Sequence, residues 1–144
     1  MSRPIMYATD FSPASRAAFT KAVELAKRDR APLTIVHVML PPVMLMGDGY
    51  IPPSTWDEIS RSQRKANQKK LDAIVARARA AGVRARSMLL EGPPADRILR
   101  AARGAGLLVI GTHGRTGLAR FILGSVASRV VAGARCPVVT VRGK

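Results

Sequence analysis

The sequence predicts an α/β fold built on an open parallel sheet of five strands. Three observations carry this: short apolar runs recur, each is followed by a stretch with helical spacing, and Gly- or Pro-rich turns separate them. Runs that are apolar throughout, such as Leu107, Leu108, Val109 and Ile110, suit strands covered on both faces. Such alternation implies right-handed crossovers.

The chain follows this scheme in order. Pro4 to Thr9 reads as the first strand, ending at Asp10, and Ser12-Pro13 opens a helix with a cap residue before Pro at the first turn. Ala17, Ala18, Val23, Leu25 and Ala26 form its apolar side, and it ends near Arg30. Leu33 to Met39 is the second strand. His37 interrupts it with no acidic or cysteine partner nearby, so it reads as a hydrogen-bonded core histidine and not a ligand or base. Pro41 to Pro53 holds four prolines and two glycines, an apolar-lined loop that can fold over a ligand. A long helix follows from Ser54 to Ala81, with Trp56, Ile59, Ala66, Leu71, Ile74 and Ala78 inward and Gly82 as its cap. Val83 to Leu90 is the third strand, Glu91 to Pro94 turns the chain, and Ala95 to Arg103 is a short helix turning Ile98 and Leu99 inward. After the fourth strand, Leu107 to Ile110, a glycine loop leads to a helix with Val126, Val130 and Val131 at helical spacing. Gly133 to Pro137 turns into a fifth strand, Val138 to Val141.

The glycine loop carries the functional signal. Gly111 and Gly114 lie two residues apart, nine more lead to Gly124, and Ser125 follows at once. Between a buried strand and a helix, such a loop offers unpaired N–H groups and the positive end of a dipole, which favour phosphate. Ser125 can cap the helix or donate to a phosphate oxygen. The Walker pattern GxxxxGK[ST] is absent and no GxGxxG follows a strand, which disfavours a Walker-type NTPase and a dinucleotide-binding enzyme.

Composition bounds the remaining classes. The 144 residues fit one domain, 1–144, and exclude tandem copies. No apolar stretch approaches the roughly 18 residues of a membrane span, and the N-terminal apolar run is too short for a signal peptide, so a cytoplasmic protein is expected. One cysteine, Cys136, rules out an internal disulfide framework, and with only His37 and His113 no zinc spacing exists, so no protein-held metal is expected. The net charge of +15 attracts anions without specificity. Its basic residues are spread over several segments, densest at Arg61, Arg64, Lys65, Lys69 and Lys70, with few aromatics to stack on bases, so nucleic acid is expected only through non-specific charge.

The loop Gly111-x2-Gly114-x9-Gly124-Ser125 resembles the signature of the nucleotide-binding branch of the universal stress proteins. YATDFSPAS, TIVHV, EGPPADRIL and CPVVTVR resemble further family segments in the family's order, so the resemblance spans the whole chain except Pro41 to about Asp57. It implies a Rossmann-like sheet of order 3-2-1-4-5, similar to the adenine-nucleotide alpha-hydrolases, with helices on both faces. Its switch point then lies between strands 1 and 4, with Asp10 and Gly111 on its borders. By resemblance, Ala8, Thr9, Asp10 and Val38 hold the nucleoside, Asp10 at the ribose and the backbone of Ala8 and Val38 at the adenine. Gly111, Gly114, Arg115, Gly124, Ser125 and Val126 surround the phosphates. Many family members carry Pro or another small residue where Ala8 stands, and Asp10 reads equally well as a turn aspartate.

The leading expectation is a stress-response protein that binds ATP or another adenine nucleotide, with Mg2+ or Mn2+ held by the phosphates, and acts as a regulatory module on an unknown protein partner. A homodimer through Val138 to Val141 is expected, because that apolar run forms a sheet edge. The alternatives are a slow ATP-hydrolysing or phosphoryl- or adenylyl-transferring enzyme, for which the loop offers only His113 and Arg115 and no assignable catalytic set, and a basic nucleic-acid-binding protein.

Overall fold

The structure is a computed structural model that describes residues 2–41, 49–112 and 124–143. Five parallel strands, β1 (Ile5–Ala8), β2 (Leu33–Met39), β3 (Ala85–Glu91), β4 (Leu107–Gly111) and β5 (Val138–Val141), form one sheet of order β3-β2-β1-β4-β5. The helices are α1 (Pro13–Asp29), α2 (Pro53–Ala80), α3 (Pro94–Ala101) and α4 (Ser125–Gly133), and α3 tightens into a 3-10 turn at Ala102–Gly104.

Strand alternation divides the core into two layers. Ile5, Tyr7, Leu33, Ile35 and Val109 face α1 and α2, where Ala18, Leu25, Leu71, Val75 and Ala78 meet them. Met6, Ala8, Val36, Leu108 and Ile110 face α3 and α4, against Ala95, Ile98, Ala127 and Val130. The change of layer between α2 and α3 puts the switch point beside β1.

Element ends follow local chemistry. α2 closes as the sequence indicates: Gly82, at φ +91°, sends its N–H to the Arg79 carbonyl while Val83 N–H reaches Ala78, which is a Schellman arrangement. Three apolar positions are not where the periodicity puts them. Ala66 is exposed because it lies about 140° around the helix from Leu71, on the side turned away from the sheet, and Trp56 and Ile59 are only half-buried in the first two turns of α2. On α4 the buried residues are Ala127 and Val130, with Val131 exposed.

The two sheet edges differ. At β3, Arg79 donates twice to the Ala85 carbonyl, Gln68 reaches the Ser87 hydroxyl and Arg64 pairs with Glu91. At β5 the C=O groups of Pro137 and Val141 accept from β4, so by alternation Val138 and Thr140 turn their backbone outward, where no described strand pairs with them.

Beneath β1 lies a buried hydroxyl network. Tyr7 donates to the Ser15 carbonyl (2.6 Å) and meets the Ser15 hydroxyl (2.5 Å), which donates to Thr9 Oγ1 (2.8 Å). Burial holds the Tyr7 phenol above its ordinary pKa of 10.0. The unfolded chain therefore releases the proton first, and the stability this group contributes is present below pH 10 and lost as pH rises through the folded value. Tyr7→Phe is expected to cost about 1 kcal/mol at neutral pH through the lost hydrogen bonds. Melting curves of wild type and variant should converge above pH 10, and a constant gap would contradict the assignment.

Candidate functional site

The fold leaves a cavity of about 530 Å3 beyond the carboxyl ends of β1, β2 and β4. It opens because the central strand stops first. Ala8 pairs with Val36 and Ile110, whereas β2 runs on to Met39 beside β3 and β4 runs on to Gly111 beside β5.

Ala8, Thr9, Asp10, Val38, Gly111, Gly124, Ser125 and Val126, all singled out from the sequence, line this one cavity. Gly114 and Arg115, and with them His113, lie outside the described residues.

The turn after β1 is held by its own side chains. Thr9 Oγ1 accepts the Phe11 N–H at 3.0 Å, and Asp10 Oδ1 accepts the Ser12 N–H at 2.9 Å, so Asp10 does fill the turn role open to it. Phe11 sits at φ +66°, a region few non-glycine residues occupy, and its ring packs on His37 with centroids 4.2 Å apart. His37 is buried, and Nδ1 donates to the Thr9 carbonyl at 2.7 Å. It is the hydrogen-bonded core histidine of the sequence reading, and it also forms part of the cavity wall.

That bond shapes the site. Thr9 N–H donates to Val36, so Val38 is the next β2 residue whose backbone faces β1. Its natural partner would be the Thr9 carbonyl, which the imidazole occupies, and no Val38-to-Thr9 bond forms. The Val38 N–H and C=O are thus turned toward the cavity as an adjacent donor and acceptor.

At the opposite end stands the N-terminus of α4. Gly124 occupies the cap position and its carbonyl accepts the Ser128 N–H at 2.8 Å, so the N–H groups of the first turn have no partner within the helix. Ser125 is the first helical residue and not the cap. Its hydroxyl makes no capping bond and lies exposed at the cavity. The wall between the two ends is largely apolar, with Val36, Ile98, Ile110 and Ala127.

Sequence reasoning missed several lining groups. The hydroxyls of Ser12 and Thr112 are buried without a partner among the described residues, and both residues line the cavity. Ser12 was read as the cap of α1 and not as a lining group, and Thr112 stands beside Gly111, so loop hydroxyls next to turn formers were the available signal. Gln63 and Asn67 of α2 also line it, and no sequence signal marked them. Among the described residues no group of three or more His, Cys, Asp or Glu side chains can hold a metal ion.

The universal stress protein family model matches residues 1–142. The chain belongs to the universal stress protein family. It is 36% identical to the universal stress protein YxiE of Bacillus subtilis, over 99% of this chain and 100% of that one. Among solved structures, a universal stress protein of Archaeoglobus fulgidus in complex with dAMP superposes with a TM-score of 0.68 at 26% identity, covering 96% of this chain and 97% of that one. A universal stress protein in complex with cAMP gives a TM-score of 0.63 at 27% identity, covering 98% and 97%.

Gly124 tests the loop geometry. A Cβ there would lie 2.8 Å from the Thr112 carbonyl oxygen, which already accepts the Gly124 N–H, while φ is an ordinary −56°. Any penalty for Gly124→Ala is therefore steric, and it should lower stability by about 1–3 kcal/mol. An unchanged melting temperature would show that the loop yields freely.

Proposed function

We propose that this universal stress protein is a cytoplasmic regulatory module that binds ATP, or another adenine nucleotide, at the switch point and acts on a protein partner in its bound state. The observation that carries this reading is the cavity's polarity. One end offers the unpaired N–H groups of α4, suited to phosphate, and the other offers the donor and acceptor of Val38, suited to the edge of a base. The dAMP and cAMP complexes of relatives support an adenine ligand. A single cysteine, half-buried with its thiol pushed above its usual pKa by burial, suits a reducing compartment.

The residues present fit the nucleotide. The hydroxyls of Ser12 and Thr112, which have no hydrogen-bond partner among the described residues, stand ready to bond a polar ligand. In this reading Ala8, Thr9, Asp10 and Val38 hold the nucleoside, and Gly111, Gly124, Ser125 and Val126, together with Gly114 and Arg115, surround the phosphates. Among the described lining residues Asp10 is the one carboxylate, and it is engaged with the Ser12 N–H. Mg2+ or Mn2+ accompanying the nucleotide would therefore be held by phosphate oxygens, where it would neutralise their charge.

We further propose that two copies pair through β5. Its outward backbone at Val138 and Thr140 has no described partner, whereas side chains occupy the β3 edge.

Millimolar ATP is expected to give binding heat in calorimetry and to raise the melting temperature, because it binds the folded state alone. Absence of both would end the nucleotide reading and leave the fold untouched. For the dimer, Thr140→Pro removes an outward N–H and spares the bonds to β4. Light scattering should show a wild-type dimer and a variant monomer, and a wild-type monomer at micromolar concentration would overturn the pairing.

A further inference from the structure

We infer that Gln63 and Asn67, one helical turn apart on α2, read the nucleobase and make the site selective for adenine. This rests on the nucleotide reading above and adds to it the residues that choose the base.

The stripe to which they belong explains their chemistry. Gln63, Asn67, Leu71 and Val75 follow one another at four-residue spacing, so they share a face of α2. Leu71 and Val75 are buried under the sheet. Where the same face passes the end of the sheet it meets the cavity, and there it carries two amides in place of apolar side chains. Both are half-buried. Neither hydrogen-bonds to any described residue, although the neighbouring Gln68 spends its amide on Asp72 (2.9 Å) and Ser87 (3.1 Å). The two amides facing the cavity are the ones left unused.

Their neutrality indicates which part of the ligand they meet. The surrounding positions of this helix are cationic and exposed: Arg61, Arg64, Lys65, Lys69 and Lys70. A wall meant for phosphate would gain from any of these, and the cavity-facing positions carry none. An amide presents donors and an acceptor together, which matches the mixed edge of a neutral heterocycle. The phosphate-binding features lie at α4, and α2 packs instead against β2, whose end carries Val38. Gln63 and Asn67 thus complement the Val38 backbone.

Titration calorimetry with ATP, AMP and GTP on wild type, Gln63→Leu and Asn67→Leu tests this. Each substitution removes one amide and is expected to weaken ATP and AMP by the same factor, about fivefold. GTP should weaken less, so that the preference for ATP over GTP narrows. Unchanged affinity, a loss greater for ATP than for AMP, or an unaltered ATP-to-GTP ratio would overturn the inference while wild-type ATP binding left the nucleotide reading intact. A wild type that bound no nucleotide would overturn both. The melting temperature of the ligand-free variants should match wild type, which separates base reading from a structural role.

Discussion

The early end of β1 is the constraint on which the site depends. A central parallel strand that ran as far as its neighbours would pair with both and leave no crevice. Here the chain turns out of the sheet after Ala8, and a set of short-range bonds enforces the turn: Thr9 Oγ1 to Phe11 N–H, Asp10 to Ser12 N–H, and the His37 ring on the Thr9 carbonyl. Phe11 holds a left-handed backbone against His37, with the Lys70 ammonium 5.3 Å from the phenyl centroid on the other element. The polar network under Tyr7 anchors the same turn from the core side, through Ser15 and Thr9. Removing water from so many polar atoms is tolerable because nearly all of them find partners.

The exceptions lie where a ligand would go. Ser12 and Thr112 each bury a hydroxyl on the cavity wall that has no partner among the described residues. An unsatisfied buried group of this kind costs about 1–3 kcal/mol, and a ligand that supplies the missing bond recovers it. Ser12 is instructive because it occupies the α1 cap position, where a serine hydroxyl ordinarily bonds the helix, yet it makes no capping bond. The fold forgoes local stabilisation at the rim of its cavity, as is common where binding groups must stay unpaired in the free protein.

Much of the fold was legible because its signals are local. Leu33–Met39 is recovered residue for residue, since a β-branched run between Pro32 and Leu40 has one reading as a buried strand. The end of α2 follows from Gly82. Ala66 was misread because approximate spacing does not fix which side of the helix meets the sheet, and Trp56 and Ile59 because periodicity does not say whether a core lies beneath their face. The candidate site divides in the same way. Glycines and an aspartate beside strand ends announce a turn, and eight of the singled-out residues fall on one cavity. Gln63 and Asn67 were invisible, because an amide on a charged helix looks like any solvated residue until the tertiary structure puts a cavity in front of it. His37 was read correctly as a core residue, but its effect on Val38 depends on a contact between residues 28 apart in the chain.

The cavity and the free sheet edge are joined mechanically. Thr112 N–H donates to the Val141 carbonyl at 3.0 Å, so the residue that opens the glycine loop hangs from β5. The Thr112 carbonyl in turn accepts the Gly124 N–H at the cap of α4. Beyond β5, Gly143 packs so closely on α1 that a Cβ would come within 2.4 Å of Ala14 Cα, and Gly111 has the Ala14 carbonyl 3.3 Å from where its Cβ would stand. The last strand, the start of α1 and both ends of the loop are thus held in one chain of backbone contacts. Because these contacts run through carbonyls and glycines and not through flexible side chains, a displacement of β5 passes to Thr112 and Gly124 with little slack. In this architecture, whatever steadies the outer strand also steadies the described rim of the cavity.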